Sequence, residues 1–247
     1  FVDSVRAEQT NEIHTGLMGI RIQPVKPLTI NLDGELSRAN RPFLTISERN
    51  FHALGARVQY RRKSFNLTAL ARSRYNFNSV SLFAHSSRGR HYAVDGSWTP
   101  VTWFSIDTGY SKIHLDTLTG IAYFASFAEV LTDRSLYVSN LHNVHMTGRV
   151  QLAKRVDVFA GYIRTQDTGD GRATPTGAGR FASGAPAFQA AQTFPVLFHS
   201  PLFRVSVRLH ERVRWNVGYQ HYDYNERFLA LQNYRAHTGY TSLLWSF

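Results

Sequence analysis

The chain closes on AHTGYTSLLWSF, residues 236–247. Side chains of an extended strand point alternately to its two sides. Gly239, Thr241, Leu243, Trp245 and Phe247 therefore share one face, and Tyr240, Ser242, Leu244 and Ser246 share the other. A face that finishes in Trp and Phe is not one a strand shows to water. It packs on a second layer of protein or meets a solvent that is itself apolar, and the rest of the chain decides between the two.

Period-two alternation recurs along the whole sequence, and helical periodicity is scarce. In LTINLDGEL (28–36), Leu28, Ile30, Leu32, Gly34 and Leu36 oppose Thr29, Asn31, Asp33 and Glu35. FNLTALARSRY (65–75) and VHMTGRVQL (144–152) repeat the pattern. In FRVSVRLH (203–210), Phe203, Val205, Val207 and Leu209 oppose Arg204, Ser206, Arg208 and His210. One face is apolar. The other carries arginine, histidine, hydroxyl and amide.

The pattern predicts strands over 1–8, 12–23, 28–38, 49–60, 65–76, 88–98, 101–113, 142–153, 156–166, 200–210, 213–224 and 235–247. Most match the ~9–11 residues a tilted strand needs to cross a bilayer. Short polar turns, PVKP (24–27), RRKS (61–64), TP (99–100), KR (154–155) and ER (211–212), alternate with long connections at 39–48, 77–87, 114–141, 167–199 and 225–234. This is an up-and-down meander with two unlike ends. No break in composition divides it, so residues 1–247 read as one domain. If residues 1–8 form no strand, eleven remain, and the chain reads as the C-terminal part of a larger barrel.

Composition narrows the class. Hydrophobic residues make up 43% and charged residues 18%, which argues against disorder. Aromatics reach 13%, an excess suited to side chains with one apolar end and one wet end. The absence of cysteine excludes disulfides, thiol catalysis and cysteine-ligated metal or haem. A net charge of +11 suggests nucleic acid or an anionic membrane surface. Nucleic acid needs cations and aromatics on one exposed face, whereas here they fall largely on opposite faces, so no nucleic-acid partner is expected.

A soluble sandwich turns its apolar face inward and covers the other with Lys and Glu. This polar face is built from Ser, Thr, Asn, Gln, Arg and Gly, as a water-filled lumen wall is. Tyr60, Phe65, Trp98, Trp103, Phe104, Trp215 and Trp245 cluster by the short turns, and Tyr75, Tyr110 and Tyr162 lie toward the long connections. Those are the two positions of interfacial aromatic girdles.

With the terminal Gly239, Thr241, Leu243, Trp245 and Phe247, the alternation resembles the Gram-negative outer-membrane β-barrel proteins, porin-like in outline and without a subfamily signature. The resemblance implies an all-β transmembrane antiparallel up-and-down barrel of about twelve strands in the bacterial outer membrane, with short periplasmic turns and long extracellular loops. It implies that the last strand is the signal read by the barrel-assembly machinery and closes the barrel against the first. It also implies surroundings of outer-membrane lipid and lipopolysaccharide. A weaker likeness, on WNVGYQHYDY (215–224) and VFAGYIRTQD (158–167), is to the large barrels that sheath multihaem cytochromes.

Arg57, Arg72, Arg74, Arg149, Arg204 and Arg208 fall on the predicted lumen face. Fixed positive charge along a pore lowers the barrier for anions, and Arg grips carboxylate or phosphate bidentately. These residues line an anion-preferring pore, hold an acidic plug or partner, or brace the wall by pairing with Asp33, Glu35, Asp95 and Asp107. If they set selectivity, Arg→Glu at 72, 74 and 149 shifts it. Loop cations Arg88, Arg90, Arg172 and Arg180 are placed to meet lipopolysaccharide phosphates.

The expected function is a passive channel for small hydrophilic solutes. The alternatives are a scaffold anchoring a surface or periplasmic partner protein, a cytochrome or a second copy included, and a lipid hydrolase. The hydrolase needs a His–Ser pair on the outer wall. His142 lies in the right zone, but Val144 follows at the next outward position where serine is required, so no enzymatic role is expected. His142 and His145 face opposite ways, and TGDGR (168–172) lacks the Asp ladder of a calcium loop. No metal and no cofactor are expected.

Overall fold

The computed structural model describes residues 10–41, 48–78, 84–126, 129–169, 172–174, 196–226 and 231–246, with the backbone alone over 120–136 and 172–174. All regular structure there is β: β1 (Ile13–Val25), β2 (Leu28–Ala39), β3 (Asn50–Arg62), β4 (Phe65–Asn78), β5 (His85–Val101), β6 (Phe104–Ser126), β7 (Glu129–Ala153), β8 (Val156–Asp167), β9 (Arg172–Thr174), β10 (Val196–His210), β11 (Val213–Glu226) and β12 (Tyr234–Trp245). One sheet runs β1-β2-β3-β4-β5-β6-β7-β8-β10-β11-β12, with the short β9 added against β7. Each strand pairs antiparallel with its neighbour in this order, so the eleven form an up-and-down meander.

The short connections are two-residue turns at Lys26–Pro27, Lys63–Ser64, Thr102–Trp103, Lys154–Arg155 and Glu211–Arg212. The turn expected at 99–100 is three residues further on. Pro100 lacks an N–H and reads as a break, but the ladder shifts register between Trp98 and Val101, and proline is tolerated at such a bulge. Pro24 lies in the same setting, between Ile22 and Val25. The turns are linked to one another. The second-turn-residue carbonyls of Pro27, Ser64, Trp103, Arg155 and Arg212 accept from the N–H groups of Arg61, Thr99, Gln151, Arg208 and Ser246 at 2.7–2.9 Å. One hairpin is thus tied to the next along this rim.

The other end is longer than the alternation suggests. The connection expected over 114–141 continues β6 and β7, whose ladder runs from Phe104↔Val150 to Ser126↔Glu129. At 23 and 25 residues these strands far exceed the ~9–11 that cross a bilayer. Beyond the bilayer neither face must be apolar, so alternation lapses while backbone pairing continues. The strand expected over 1–8 lies outside the described residues.

The described residues form no conventional core. Among the described residues the buried apolar side chains are Ala39, Phe51 and Ala53. Leu36, Leu54, Val58, Trp98, Phe203, Val217 and Leu243 all point to one side of the sheet and are all exposed there. An unbroken apolar face of this extent has lipid as its solvent. Among the described residues β1 and β12, the two ends of the sheet, do not pair with each other.

Candidate functional site

Cross-strand partners share a face, so register assigns each side chain to a side. The row Asn31–Arg57–Leu70–Ala93–Ser111–Asn143–Thr165 defines the polar side across six pairings. All six predicted arginines lie on it. Arg72 and Arg74 oppose Gly55 and Ala53, Arg149 and Arg204 both oppose Phe159, and Arg208 opposes Arg214.

The arginines divide into two groups. On β4, Arg72 reaches Glu35 at 3.4 Å, and Arg74 bonds Glu48 while covering the Phe51 ring at 4.9 Å. At the short-turn end of β7–β11, Arg149 donates to Asp157 Oδ1 through Nε and Nη2 at 3.1 and 2.7 Å. Arg214 reaches across β10 to Asp157 Oδ2 at 3.7 Å. Asp157 is the buried member, its side chain 5% exposed. Of the carboxylates expected to brace the wall, Glu35 does so, whereas Asp95 meets His145 at 3.9 Å. Among the described residues Asp33, Asp107, Arg57, Arg204 and Arg208 make no ion pair. Asp157 and Arg214 were missed from the sequence: alternation marks their face but not which strands meet.

Glycines let side chains lie flat on this face. A Cβ on Gly55 would come within 2.5 Å of the Asp33 carboxylate, and one on Gly109 within 2.3 Å of both Asp95 and His145. Beside Gly109, a groove of about 330 Å³ is lined by Arg57, Gln59, Thr68, His91, Ser111 and Asn143, among others. Its walls offer a cation, the Asp95 carboxylate, imidazoles, hydroxyls and amides, the donors and acceptors a hydrated solute exchanges for water.

The outward face carries its own order. At the short-turn end Trp98 packs edge-on against Phe104 at 6.3 Å, and Tyr60 lies 6.3 Å from Phe65. Nearer the long connections the aromatics are paired with histidine. The Tyr110 hydroxyl meets His142 Nδ1 at 2.9 Å, Tyr162 meets His199 and Tyr219 meets His237 in the same way, and the rings of His52 and Tyr75 are 5.2 Å apart. His142 is thus a partner of tyrosine. Among the described residues no group of His, Asp or Glu converges as a metal site.

Of the predicted closing signal, Leu243 and Trp245 face outward and are each 69% exposed. Thr241 accepts from Trp215 Nε1 at 2.7 Å, Gly239 has open space beside it, and Phe247 lies outside the described residues. Arg88 covers Tyr75 at 5.8 Å on the outward side. Arg180 lies outside the described residues, and Arg172 is described by its backbone in β9.

No protein-family model matches the sequence, and no curated protein matches it. Solved structures do match. The siderophore receptor PirA from Acinetobacter baumannii superposes with a TM-score of 0.65 at 9% identity, over 96% of this chain and 38% of that one. The ferric preacinetobactin receptor BauA from the same organism gives 0.58 at 8% identity, over 94% and 44%. The ferric citrate transporter FecA gives 0.55 at 9% identity, over 97% and 40%. At these identities the likeness concerns the fold, and the chain spans less than half the length of each. The fold is that of the outer-membrane β-barrel proteins of Gram-negative bacteria.

Proposed function

We propose that the chain forms part of the wall of an outer-membrane barrel whose inward face passes small hydrophilic solutes and favours anions. The observation that carries this reading is unbalanced charge. Among the described residues Arg57, Arg204 and Arg208 have no carboxylate partner, while of the predicted bracing carboxylates on the same face Asp33 and Asp107 are unpaired, so the unpaired cations outnumber them. An unpaired fixed cation raises the local concentration of anions, while a paired one largely cancels its own field. Selectivity therefore rests less on Arg72, Arg74 and Arg149 than on these three. The role is passive and non-enzymatic.

The same reading treats the sheet as an arc of a wider barrel. Among the described residues its two edges are unpaired, and nearly all of it superposes on less than half of each of three longer proteins.

Planar-bilayer recording under a potassium chloride gradient tests the function. The wild type should give a zero-current potential on the anion-selective side. Arg57→Glu with Arg204→Glu and Arg208→Glu should move it toward cations, and further than Arg72→Glu with Arg74→Glu does. A potential that does not move, or a purified protein that gives no current steps, overturns the channel.

A further inference from the structure

We infer that the short-turn end of β7, β8, β10 and β11 is a binding site for a phosphate-type oxyanion. Arg149, Arg204, Arg208 and Arg214 gather there around one carboxylate, Asp157. Both oxygens of that carboxylate are already taken, Oδ1 by Arg149 and Oδ2 by Arg214. Arg204 and Arg208 are left without a counter-ion among the described residues, and Arg208 lies directly opposite the like-charged Arg214. Like charges placed directly across a sheet repel. The arrangement is favourable once a multivalent anion lies between them.

Buried groups point the same way. Ser206 separates Asp157 from Asn216 in the register and is 2% exposed, yet its hydroxyl has no hydrogen-bond partner. Arg204 lies flat on the Phe159 ring at 4.0 Å, and its Nε is buried and unbonded. A buried polar group without a partner costs free energy, so an ordered group that supplies one is favoured. An unpaired hydroxyl, an unpaired guanidinium N–H and a stacked, pre-oriented arginine beside a second free arginine are the donors a tetrahedral oxyanion accepts from. The groove beside Arg57, which Asp95 also lines, has no such concentration of positive charge. It is on the path of a solute, while this cluster is where an anionic one would pause.

The site deepens the channel reading but does not need conduction, so the test is an equilibrium one. Inorganic phosphate is titrated calorimetrically into the detergent-purified chain at constant ionic strength, with chloride as the reference. Saturable phosphate binding is expected. Arg204→Gln with Arg208→Gln should weaken it at least about tenfold, since each bond lost is charge-assisted. Asp157→Asn should strengthen it several-fold by removing the competing carboxylate, and Lys63→Gln, in a distant turn, should leave it unchanged. Strengthening on loss of a carboxylate is an effect that a merely structural role for the cluster does not produce. Phenylglyoxal footprinting of the wild type needs no variant: phosphate should protect Arg204 and Arg208 and leave Arg57 reactive. No saturable binding, equal binding by the double variant, or protection spread over all arginines alike would overturn the site. Phosphate binding without bilayer current would overturn only the channel.

Discussion

Gly109 has no side chain, and two side chains use the space. Asp95 from β5 and His145 from β7 meet above it, 3.9 Å apart. A methyl group there would lie 2.3 Å from each. Both obstructing atoms are the ends of side chains with free rotamers, so the fold should survive Gly109→Ala and the contact should not. The expected outcome is a loss of stability below about 1 kcal/mol in urea unfolding and, on the channel function proposed above, a changed open-channel current, because the displaced groups flank the groove. A cooperative loss of several kcal/mol would mean that the backbone at Gly109 cannot accept a side chain. The same physics sets what was legible at this scale. Alternation put all six arginines on one face, since face depends only on position along a strand. It did not show that Arg149 finds Asp157 eight residues on while Arg214 reaches the same carboxylate from two strands away. That depends on registers between strands, which turns and bulges fix and composition does not.

Three ascending strands share one layout. β6 begins FSIDTGYS (104–111), β8 VDVFAGYI (156–163) and β11 VRWNVGYQ (213–220). In each, the sixth residue is an inward glycine and the seventh an outward tyrosine that bonds a histidine of the next strand. At ~3.3 Å per residue and a tilt near 40°, the tyrosines stand about 15 Å above the turns. Lys112 and Arg164, one outward position higher, begin the charged zone at about 20 Å. The apolar band therefore lies between the Trp–Phe girdle and this Tyr–His belt. Val58 is inside the band facing out, and Gln59 faces in. Arginine at the two positions separates the faces: Val58→Arg should cost about 2–4 kcal/mol and Gln59→Arg under ~1 when unfolding is followed in lipid vesicles. Equal costs would mean that the faces are misassigned. The elements were legible wherever the bilayer disciplines the sequence, as in β2, β4 and β11. Legibility failed at Pro100, where a bulge absorbs a residue that normally ends a strand, and over 114–141, where the hairpin leaves the membrane and the two-residue period has no solvent to enforce it.

The whole sheet poses a problem of closure. Among the described residues, eleven alternating strands put β1 and β12 at its two ends running in the same direction, so joining them to each other would make a parallel pair. Bacterial barrels of a single chain close antiparallel with an even strand number. On the proposed reading of the sheet as part of a barrel that closes in this way, an odd number of strands lies between these edges. One strand would hold the edges about two strand spacings apart, roughly 10 Å. An arc that is half of a 22-stranded wall, a size known among outer-membrane transporters, would hold them on the order of 40 Å apart. The wide arc is the geometry that the proposed reading of the sheet as part of a wider barrel expects. Nitroxide labels at Met18 and Gly239 measure the gap. Met18 is 74% exposed on the outward face of β1, and Gly239 has open space beside it on the outward face of β12, each near mid-strand. Dipolar spectroscopy on the reconstituted protein, diluted to one copy per vesicle, should return a distance beyond about 30 Å for a wide arc. Strong continuous-wave broadening, the mark of labels about 10 Å apart, would instead establish a twelve-stranded barrel closed by one further strand. In that case Arg57 and the Arg204–Arg208 pair would face each other across one narrow lumen, and the phosphate site would stand directly in the path of every solute.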